Sequence, residues 1–322
     1  IMTRPPGAGS GSGIPARRTF TGDDRLALKK ILYSEKWAPY IFVLPFLLSL
    51  LVFFLYPMIT TIVMSFQEVI SLSNTRFIGL RNYERLFDVH FYNALKTNTI
   101  YTVLTILTTI PIPLFIAVLL NSRLTKGKTF FKTVLFIPAL TSVIVAGIPF
   151  RLMFGELDTA LVNSVLIDLG LKPQKWLLNY WTGMMLMVIL HVWRNAGIFM
   201  VYYIAGLQNV PDELYESASI DGAGAFKKFW YITLPMLKPI LIYTLTITIF
   251  EGYRMFGESY VLWNESMPND IGLTIVRYIY QQAFQRNDLG FGSAIGITLL
   301  FIVLIINLVQ LRYFGLFRKE RD

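Results

Sequence analysis

The chain has 322 residues, of which 54% are hydrophobic and only 15% are charged, and its mean hydropathy is +0.54. This apolar content excludes a water-soluble enzyme of ordinary composition, and it excludes disorder for most of the length. Because the sequence contains no cysteine and two histidines, it offers no disulfide, no thiolate nucleophile and few ligands for a zinc site. The formal net charge of +9 is compatible with nucleic acid or with a membrane surface, and the positions of the lysines and arginines favour a membrane.

Six apolar stretches are long enough to cross a bilayer, since one helical crossing needs about 20 mostly apolar residues. Three of these stretches contain prolines, and inside a membrane protein a neighbouring helix or a water molecule can satisfy the carbonyl groups that a proline leaves unbonded. The prolines therefore predict kinked helices and not breaks. The predicted spans are Tyr40–Ser65, Thr97–Leu120, Thr129–Phe154, Thr182–Leu207, Pro239–Val261 and Phe291–Phe314.

The distribution of positive charge between the predicted spans indicates the orientation of the chain. If the amino terminus is cytoplasmic, the cytoplasmic segments carry most of the lysines and arginines, whereas the longer loops on the opposite side carry few. The positive-inside rule therefore predicts a multi-pass protein of the plasma or inner membrane with both termini in the cytoplasm. We expect a flexible basic tail and lead-in at residues 1–36, a transmembrane domain at 37–317 with a cytoplasmic loop at about 209–238, and a short cytoplasmic tail at 318–322.

The loop between the fourth and fifth predicted spans contains the signals of a short helix. Asn209 can cap a helix, Pro211 and the two acidic residues after it suit a first turn, and Gly222 suits a helix end. Leu214 and Ala218 lie four residues apart and form an apolar stripe on a helix that is too short to cross the membrane. One interpretation is a helix lying in the lipid headgroups. Because anionic lipids favour basic helices, a protein partner fits this acidic helix better.

The order of small and charged residues in this loop is distinctive. Glu216 is followed by Ala218 and Gly222, and nine residues separate Gly222 from Ile232. One residue then separates Ile232 from a Leu-Pro pair. This order, in a loop between the fourth and fifth of six spans, resembles the EAA loop of ATP-binding-cassette importer permeases. Ser217 stands where that motif usually has its first alanine, which is a change from one small residue to another.

Two further runs of sequence resemble the carbohydrate branch of these permeases. They extend from Ser219 to Gly224 and, for the arabino-oligosaccharide type, from Leu273 to Gln282. The resemblance implies an all-α integral membrane protein with six transmembrane helices and the type I importer permease fold. It also implies that the helix of the coupling loop inserts into a separate ATPase subunit and transmits the closure of that subunit to the membrane helices. The positions that correspond to this coupling are Glu216, Ser217, Ala218, Asp221 and Gly222.

Ionisable side chains inside the fourth and fifth predicted spans are the second informative feature. A charge at mid-bilayer costs about 2.5–3.5 kcal/mol on insertion scales, so such residues face one another or a wet cavity. Carboxylate, amide and guanidinium groups bind sugar hydroxyls, while aromatic faces cover the C–H patches of a sugar. In the maltose-type permeases that the chain resembles, the spans that flank the coupling loop line the sugar pocket. The candidate sugar-binding residues are His191, Trp193, Arg194, Asn195, Glu251, Arg254, Met255, Phe256 and Glu258.

Simpler interpretations stay open for some of these residues. Glu251 and Arg254 lie three residues apart and can form an ion pair within one helix, and His191 can be a core histidine that is satisfied by its neighbours. The sequence also contains no recognisable nucleotide-binding loop, since the position five residues before Gly127 is occupied by Ser122 and not by glycine. The energy for transport must therefore come from outside this chain.

Together with the resemblance, these observations predict a transmembrane permease subunit of an ATP-driven sugar or oligosaccharide importer, which forms the translocation pathway and has no catalytic residue, metal or cofactor of its own. The resemblance implies as partners a second, non-identical permease, two ATPase subunits that bind ATP and Mg²⁺, an extracellular sugar-binding protein, the sugar and membrane lipid, but no nucleic acid. One alternative is a secondary sugar transporter driven by an ion gradient, with Glu251 or Glu258 as its proton or sodium site. A membrane-embedded enzyme is a second alternative, which the missing nucleophile and metal patterns disfavour.

Overall fold

The computed structural model describes residues 34–36, 38–71, 74–122, 125–264 and 267–314. Apart from residues 34–36, the expected amino-terminal tail lies outside the described residues, and the expected tail at 318–322 lies wholly outside them. The chain divides into two compact units, Ile1–Thr60 and Thr61–Asp322. The candidate site lies within the second unit.

The described residues are mostly helical, and the long helices occupy the apolar stretches. Short 3-10 turns follow α5 and α13, and π-helical turns lie within α1, after α10 and after α14. In chain order the elements are α1 (Ala38–Met64), β1 (Gln67–Ser71), β2 (Asn74–Phe77), α2 (Arg81–Glu84), α3 (Val89–Thr109), α4 (Pro111–Asn121), α5 (Lys128–Phe136), α6 (Val143–Met153), α7 (Leu161–Asp168), α8 (Tyr180–Gln208), α9 (Asp212–Ile220), α10 (Ala225–Lys228), α11 (Leu234–Met236), α12 (Lys238–Arg254), α13 (Gly257–Trp263), α14 (Ile275–Tyr280) and α15 (Leu289–Tyr313).

Among the described residues, four helical stretches are long and apolar enough to cross a membrane on their own. They are α1, the consecutive helices α3 and α4, α8 and α15, and they coincide with the first, second, fourth and sixth predicted spans. Helix α1 continues through Pro45 and Pro57, as the prediction of kinks and not breaks requires. Two further helix pairs are sharply bent, and the number of crossings reaches six if each pair is one span.

The prediction of a kink is wrong for the third span, because the chain breaks between α5 and α6. The two halves meet at 96°. Pro138 lies in a 3-10 turn, and Ser142 is extended and caps α6 by accepting a hydrogen bond from the backbone N–H of Ile144. A new helix with its own cap therefore starts after Ser142. An uninterrupted helix is disfavoured because Pro138 has no backbone N–H to donate.

The fifth predicted span is also shorter than expected, since α12 ends at Arg254 and not at Val261. The next residue, Met255, has an extended backbone, and a separate helix, α13, begins at Gly257. At the other end, a 69° bend separates α12 from the residues that precede Leu237. No proline marks the break at Met255, and the backbone there is bonded by side chains from other segments.

The short helix predicted in the cytoplasmic loop is present as α9, with one correction to its boundaries. Pro211 precedes its first turn, whereas Asn209 caps the carboxyl end of α8 and does not start α9. Gly222 has a positive φ of +76°, and the N–H groups of Gly222 and Ala223 donate to the carbonyls of Ser219 and Ala218. This is the Schellman arrangement, in which glycine can adopt the left-handed backbone without steric cost.

A small two-stranded hairpin, which was not predicted, departs from an all-helical fold. Strands β1 and β2 are antiparallel and pair Gln67 with Phe77. The buried Asn82 donates hydrogen bonds to the carbonyls of Ser65 and Gln67, at 3.1 and 2.9 Å, and so fixes the base of the hairpin. Arg85 forms an ion pair of 2.7 Å with Asp288, just before α15.

A second link joins the start of α3 to α14. Asp88 caps α3 by accepting from the backbone N–H of His90, and it also accepts a hydrogen bond of 2.8 Å from the hydroxyl of Tyr278. Partial burial acts to raise the pKa of Asp88, but the hydrogen bonds from Tyr278 and from His90 outweigh it and lower the pKa below its ordinary value. Asp88 is therefore ionised at neutral pH and holds the two helices together.

Close packing around α8 forms the core next to the site. One apolar cluster joins α8 to α3, α6 and α13, and a second joins α8 to α4 and α12. Gly197 of α8 lies directly against the backbone of Leu135 and Phe136 in α5, where a Cβ atom would collide with the Leu135 carbonyl. The absence of a side chain at Gly197 is therefore what lets α8 pass so close to the bent span.

Candidate functional site

The side chains predicted to bind a sugar converge on one cavity of about 400 Å³ between α8, α12 and α13. Eight of the nine candidates line it, and Val143 and Gly257 complete the wall. The candidates found there are His191, Arg194, Asn195, Glu251, Arg254, Met255, Phe256 and Glu258.

The helical path is broken at Met255, in the wall of the cavity. A break exposes backbone carbonyls that need hydrogen-bond donors inside a membrane protein. Asn98 of α3 supplies two such bonds, since its side-chain amide donates to the carbonyls of Gly252 at 2.8 Å and of Tyr253 at 3.4 Å. Thr274 donates a third, from its hydroxyl to the Met255 carbonyl at 2.9 Å. These bonds satisfy three of the carbonyls at the break.

Asn98 also connects this break to the next helix. Its side-chain carbonyl accepts from the backbone N–H of Ile275, at the start of α14, at 2.7 Å. Asn98 was not among the candidates, although an amide inside an otherwise apolar predicted span is a signal that could have identified it. Its partners lie more than 150 residues away in the chain, so its role could not have been derived from local sequence.

Two basic side chains of α8 surround the buried carboxylate of Glu258. An Oε1 atom of Glu258 lies 3.5 Å from Nη1 of Arg194 and 3.7 Å from Nδ1 of His191. His191 is also 3.2 Å from the side-chain amide of Asn195, and its ring lies edge-on to the buried ring of Tyr101, with centroids 5.9 Å apart. A carboxylate of α13 is therefore joined to α8 across the wall of the cavity.

The ion pair considered for Glu251 and Arg254 is not formed. Both side chains are exposed to the cavity, and Arg254 instead lies 5.8 Å from the ring of Phe250. In the described part of the chain, the carboxylate near the cavity that pairs with bases is that of Glu258. Glu251 and Arg254 therefore present charged groups to the cavity that are available to a ligand.

Trp193 is the candidate that lies outside the cavity lining. It follows Val192 on α8, and its ring lies 5.6 Å from that of Phe150 in α6. It is 43% exposed. Because adjacent residues of a helix lie about 100° apart around its axis, Trp193 and Arg194 can face different surroundings.

The coupling-loop candidates occupy an exposed surface of α9 and its carboxyl end. Glu216, Ser217, Asp221 and Gly222 are exposed, whereas Ala218 is half-buried. The opposite side of α9 is tied to the start of the following span, because the hydroxyls of Tyr215 and Thr233 are 2.9 Å apart. Lys228 of α10 donates a second bond to the side chain of Ser219. The acidic helix is therefore attached firmly to the chain that leads into α12.

Comparison with known proteins identifies the family. Residues 91–318 match the family described as the inner membrane component of binding-protein-dependent transport systems. The chain belongs to this family. It is therefore a transport subunit of the inner membrane and not an enzyme.

Individual relatives extend this match to most of the chain. The arabinooligosaccharides transport system permease protein AraP of Bacillus subtilis is 53% identical over 292 residues, which cover 91% of this chain and 93% of that protein. The trehalose/maltose transport system permease protein MalF of Thermococcus litoralis is 33% identical over 300 residues, covering 92% of this chain and 100% of that protein. Both relatives are permease proteins of transport systems, which gives no support to an ion-gradient-driven transporter or a membrane-embedded enzyme.

Solved structures show the same fold. A chain of a bacterial ABC transporter involved in the import of the acidic polysaccharide alginate matches with a TM-score of 0.79 and 24% identity, covering 92% of this chain and 100% of that chain. The alginate transporter in complex with an alginate pentasaccharide-bound periplasmic protein matches with a TM-score of 0.77 and 24% identity, covering 87% and 96%. The fold of this chain is thus that of a permease of an ABC importer.

Proposed function

We propose that this permease imports arabino-oligosaccharides through the cavity between α8, α12 and α13. The chain is the permease subunit of a sugar importer of the ATP-binding-cassette class, to which its family and its relatives belong. The identity of 53% to an arabino-oligosaccharide permease over nearly the whole chain favours this cargo over maltose or trehalose.

The chemistry of the cavity wall supports sugar binding. Glu251, Arg254 and Asn195 offer charged and amide groups that hydrogen-bond sugar hydroxyls, and Phe256 offers an aromatic face for a C–H surface. Glu258 is already held by Arg194 and His191, so it fixes the wall and shares its remaining acceptor capacity with the cargo. The observation that carries the proposal is this convergence of side chains from two spans on one cavity.

The exposed helix α9 supports coupling to an ATPase. We infer that Glu216, Ser217, Ala218, Asp221 and Gly222 form the EAA-type docking surface for that subunit. The bond between Tyr215 and Thr233 makes α9 and the following chain move as one body, and a rigid connection can transmit a displacement that a flexible loop would absorb. ATP and Mg²⁺ are bound by the partner, since this chain contains no phosphate-binding loop.

The proposed assembly contains two permeases and two ATPases, with the second permease non-identical, and receives its cargo from an external sugar-binding protein. One coupling helix engages one ATPase, which sets this stoichiometry. Each bent helix pair counts as one crossing, which gives six spans in contact with membrane lipid. With an even number of crossings, both termini lie in the cytoplasm. ATP-driven closure of the partners opens the cavity outward, and hydrolysis returns it to the inside.

The test is transport by the reconstituted complex. The chain is purified with its partner subunits, placed in proteoliposomes and supplied with binding protein loaded with labelled arabinotriose. We expect uptake to require ATP on the ATPase side. Excess unlabelled arabinotriose should abolish the uptake of label, whereas maltotriose should not. Uptake driven by a proton or sodium gradient without ATP would contradict the mechanism, and competition by maltotriose alone would contradict the cargo.

A further inference from the structure

Four aromatic side chains form a continuous path that starts in the cavity and ends on an exposed surface. We call Phe256, Tyr260, Tyr280 and Phe284 the aromatic path. Phe256 lines the cavity, and its ring centroid lies 5.2 Å from that of Tyr260 and 5.5 Å from that of Tyr280. The ring of Phe284 follows Tyr280 at 5.9 Å and is 67% exposed. The path therefore connects the interior of the site with the surface.

The far end of the path lies next to the loops that carry the hairpin. Phe284 belongs to the π-helical turn after α14, four residues before Asp288, which is paired with Arg85. With the orientation that the charge distribution predicts, these loops face the outside. The aromatic path thus leads from the cavity toward the side from which a cargo would enter.

The two tyrosines of the path keep their hydroxyls available. Both are half-buried, and in the part of the chain that the structure describes no protein group hydrogen-bonds the phenolic oxygen of Tyr260 or of Tyr280. Tyr101, Tyr203 and Tyr278, by contrast, are buried. Each of the two tyrosines therefore offers a phenolic hydroxyl that can exchange hydrogen bonds with a sugar hydroxyl.

A buried cation supports the path from behind. The guanidinium of Arg277 lies 4.9 Å from the centre of the Tyr260 ring, and the residue is only 1% exposed. Within the described residues Arg277 has no carboxylate partner, and its Nε and Nη1 atoms make no hydrogen bond. Burial of the Arg277 charge is costly, and the attraction between the guanidinium and the face of the Tyr260 ring offsets part of this cost. Arg277 therefore holds the Tyr260 ring, and through it Phe256, in position.

We propose that the aromatic path is a second sugar-binding site, which holds the trailing residues of a linear, uncharged oligosaccharide while its leading residue occupies the cavity. This inference rests on the proposed function of the cavity. The rings of Phe256, Tyr280 and Phe284 follow one another at 5.5 and 5.9 Å, so an extended cargo can pass from contact with one ring to contact with the next. The path therefore makes the rate of transport depend on the length of the cargo.

The experiment compares cargo lengths in proteoliposomes that contain the complete complex and saturating loaded binding protein. Initial uptake rates per complex are measured with arabinobiose and with arabinotetraose for wild type, Phe284→Ala, Tyr280→Ala and Tyr280→Phe. Phe87→Ala is the matched control, because Phe87 is 81% exposed and lies outside the path. Tyr280→Phe keeps the ring and the packing, and so separates stacking from hydrogen bonding.

Loss of the Phe284 ring, the last of the path, is expected to lower the arabinotetraose rate on the order of threefold to tenfold and to leave the arabinobiose rate within about twofold of wild type. Tyr280→Ala, next to the cavity, should lower both rates, that of arabinotetraose more. Tyr280→Phe should give a smaller loss with the same length dependence, and Phe87→Ala should change neither rate. Equal losses for both cargoes, or no loss for either, would overturn the second site. If the wild-type complex imports neither arabinose oligomer, the proposed cargo is wrong. The second site is then tested by the same comparison with maltose and maltotetraose.

Discussion

The carboxylate of Glu258 lies 3.5 Å from the guanidinium of Arg194, and this ion pair joins two helices that are far apart in the chain. Arg194 is in the middle of α8, and Glu258 is in the short helix α13 that follows the break at Met255. The pair lies at the wall of the cavity, where Glu258 is buried and Arg194 is partly accessible. It is therefore placed both to support the cavity and to respond to a ligand.

Glu258→Gln is expected to impair both uptake and stability. The amide keeps the shape of the side chain but leaves Arg194 and His191 without a charged partner, and hydrogen bonds to charged groups contribute about 1.5–3 kcal/mol. Sugar uptake should fall about tenfold or more, and the thermal unfolding temperature of the purified complex should decrease.

Glu251→Gln is the matched control for this substitution. Glu251 faces the same cavity but forms no ion pair, so its substitution should weaken uptake without lowering the unfolding temperature. If Glu258→Gln transports sugar at the wild-type rate, Glu258 has no part in the cavity's function.

Glu216→Lys is expected to separate ATP hydrolysis from uptake or to prevent assembly. The residue is exposed on an acidic helix, and reversal of its charge opposes docking of a subunit that fits an acidic surface. The measurements are recovery of the ATPase on the tagged permease and the ratio of ATP hydrolysed to sugar transported. Glu84→Lys, at an exposed position in α2, should leave both unchanged. Normal assembly and normal coupling in Glu216→Lys would remove α9 from the ATPase interface.

Tyr215→Phe and Thr233→Val are expected to loosen the connection between α9 and the fifth span. Both remove the hydrogen bond of 2.9 Å, and Thr233→Val also removes a longer one of 3.4 Å to the Lys228 carbonyl. Each should raise the number of ATP molecules consumed per sugar, and the double variant should be no worse than Thr233→Val. Tyr231→Phe is the control, since Tyr231 is close in the chain to Thr233 but 81% exposed. Additive effects in the double variant would show that the two hydroxyls act independently.

Gly197→Ala is expected to destabilise the permease strongly. A Cβ atom at this position would collide with the backbone of Leu135, which cannot move as an exposed side chain could, and overpacking typically costs about 1–3 kcal/mol. The unfolding temperature and the yield of assembled complex should both fall. Gly296→Ala provides the control, because the nearest atom outside its own helix, on Ile279, would be 3.8 Å from the new Cβ atom. Equal unfolding temperatures for the two variants would contradict the close approach of α8 to α5.

Most of the candidate site could be predicted because the cost of a charge in an apolar span depends on local sequence alone. His191, Arg194, Glu251 and Arg254 were identified as inward-facing on this ground, and the structure brings them to one cavity. The partners of these charges could not be predicted in the same way. Spacing allowed a pair between Glu251 and Arg254, whereas the pair that forms joins Arg194 to Glu258.

The breaks in the third and fifth spans, and the hairpin between β1 and β2, also escaped prediction. Hydropathy averaged over a window cannot register a change of direction within an apolar stretch, as at Ser142 and Met255. The hairpin is short, and its base is fixed by Asn82, which lies outside both strands. The break at Met255 and the base of the hairpin depend on hydrogen-bond donors from side chains elsewhere in the chain.

By itself, the sequence determined that this protein lies in a membrane, where its long apolar helices run, and which loop carries the exposed acidic helix. These properties follow from the transfer of apolar residues out of water and from the spacing of residues along one helix. Only the tertiary structure decided where the helices break, which charges pair and which aromatic rings continue the cavity toward the surface. The contacts at Asn98, Thr274, Arg277 and Glu258 that decide these features join separate helices or segments, so no local pattern in the sequence records them.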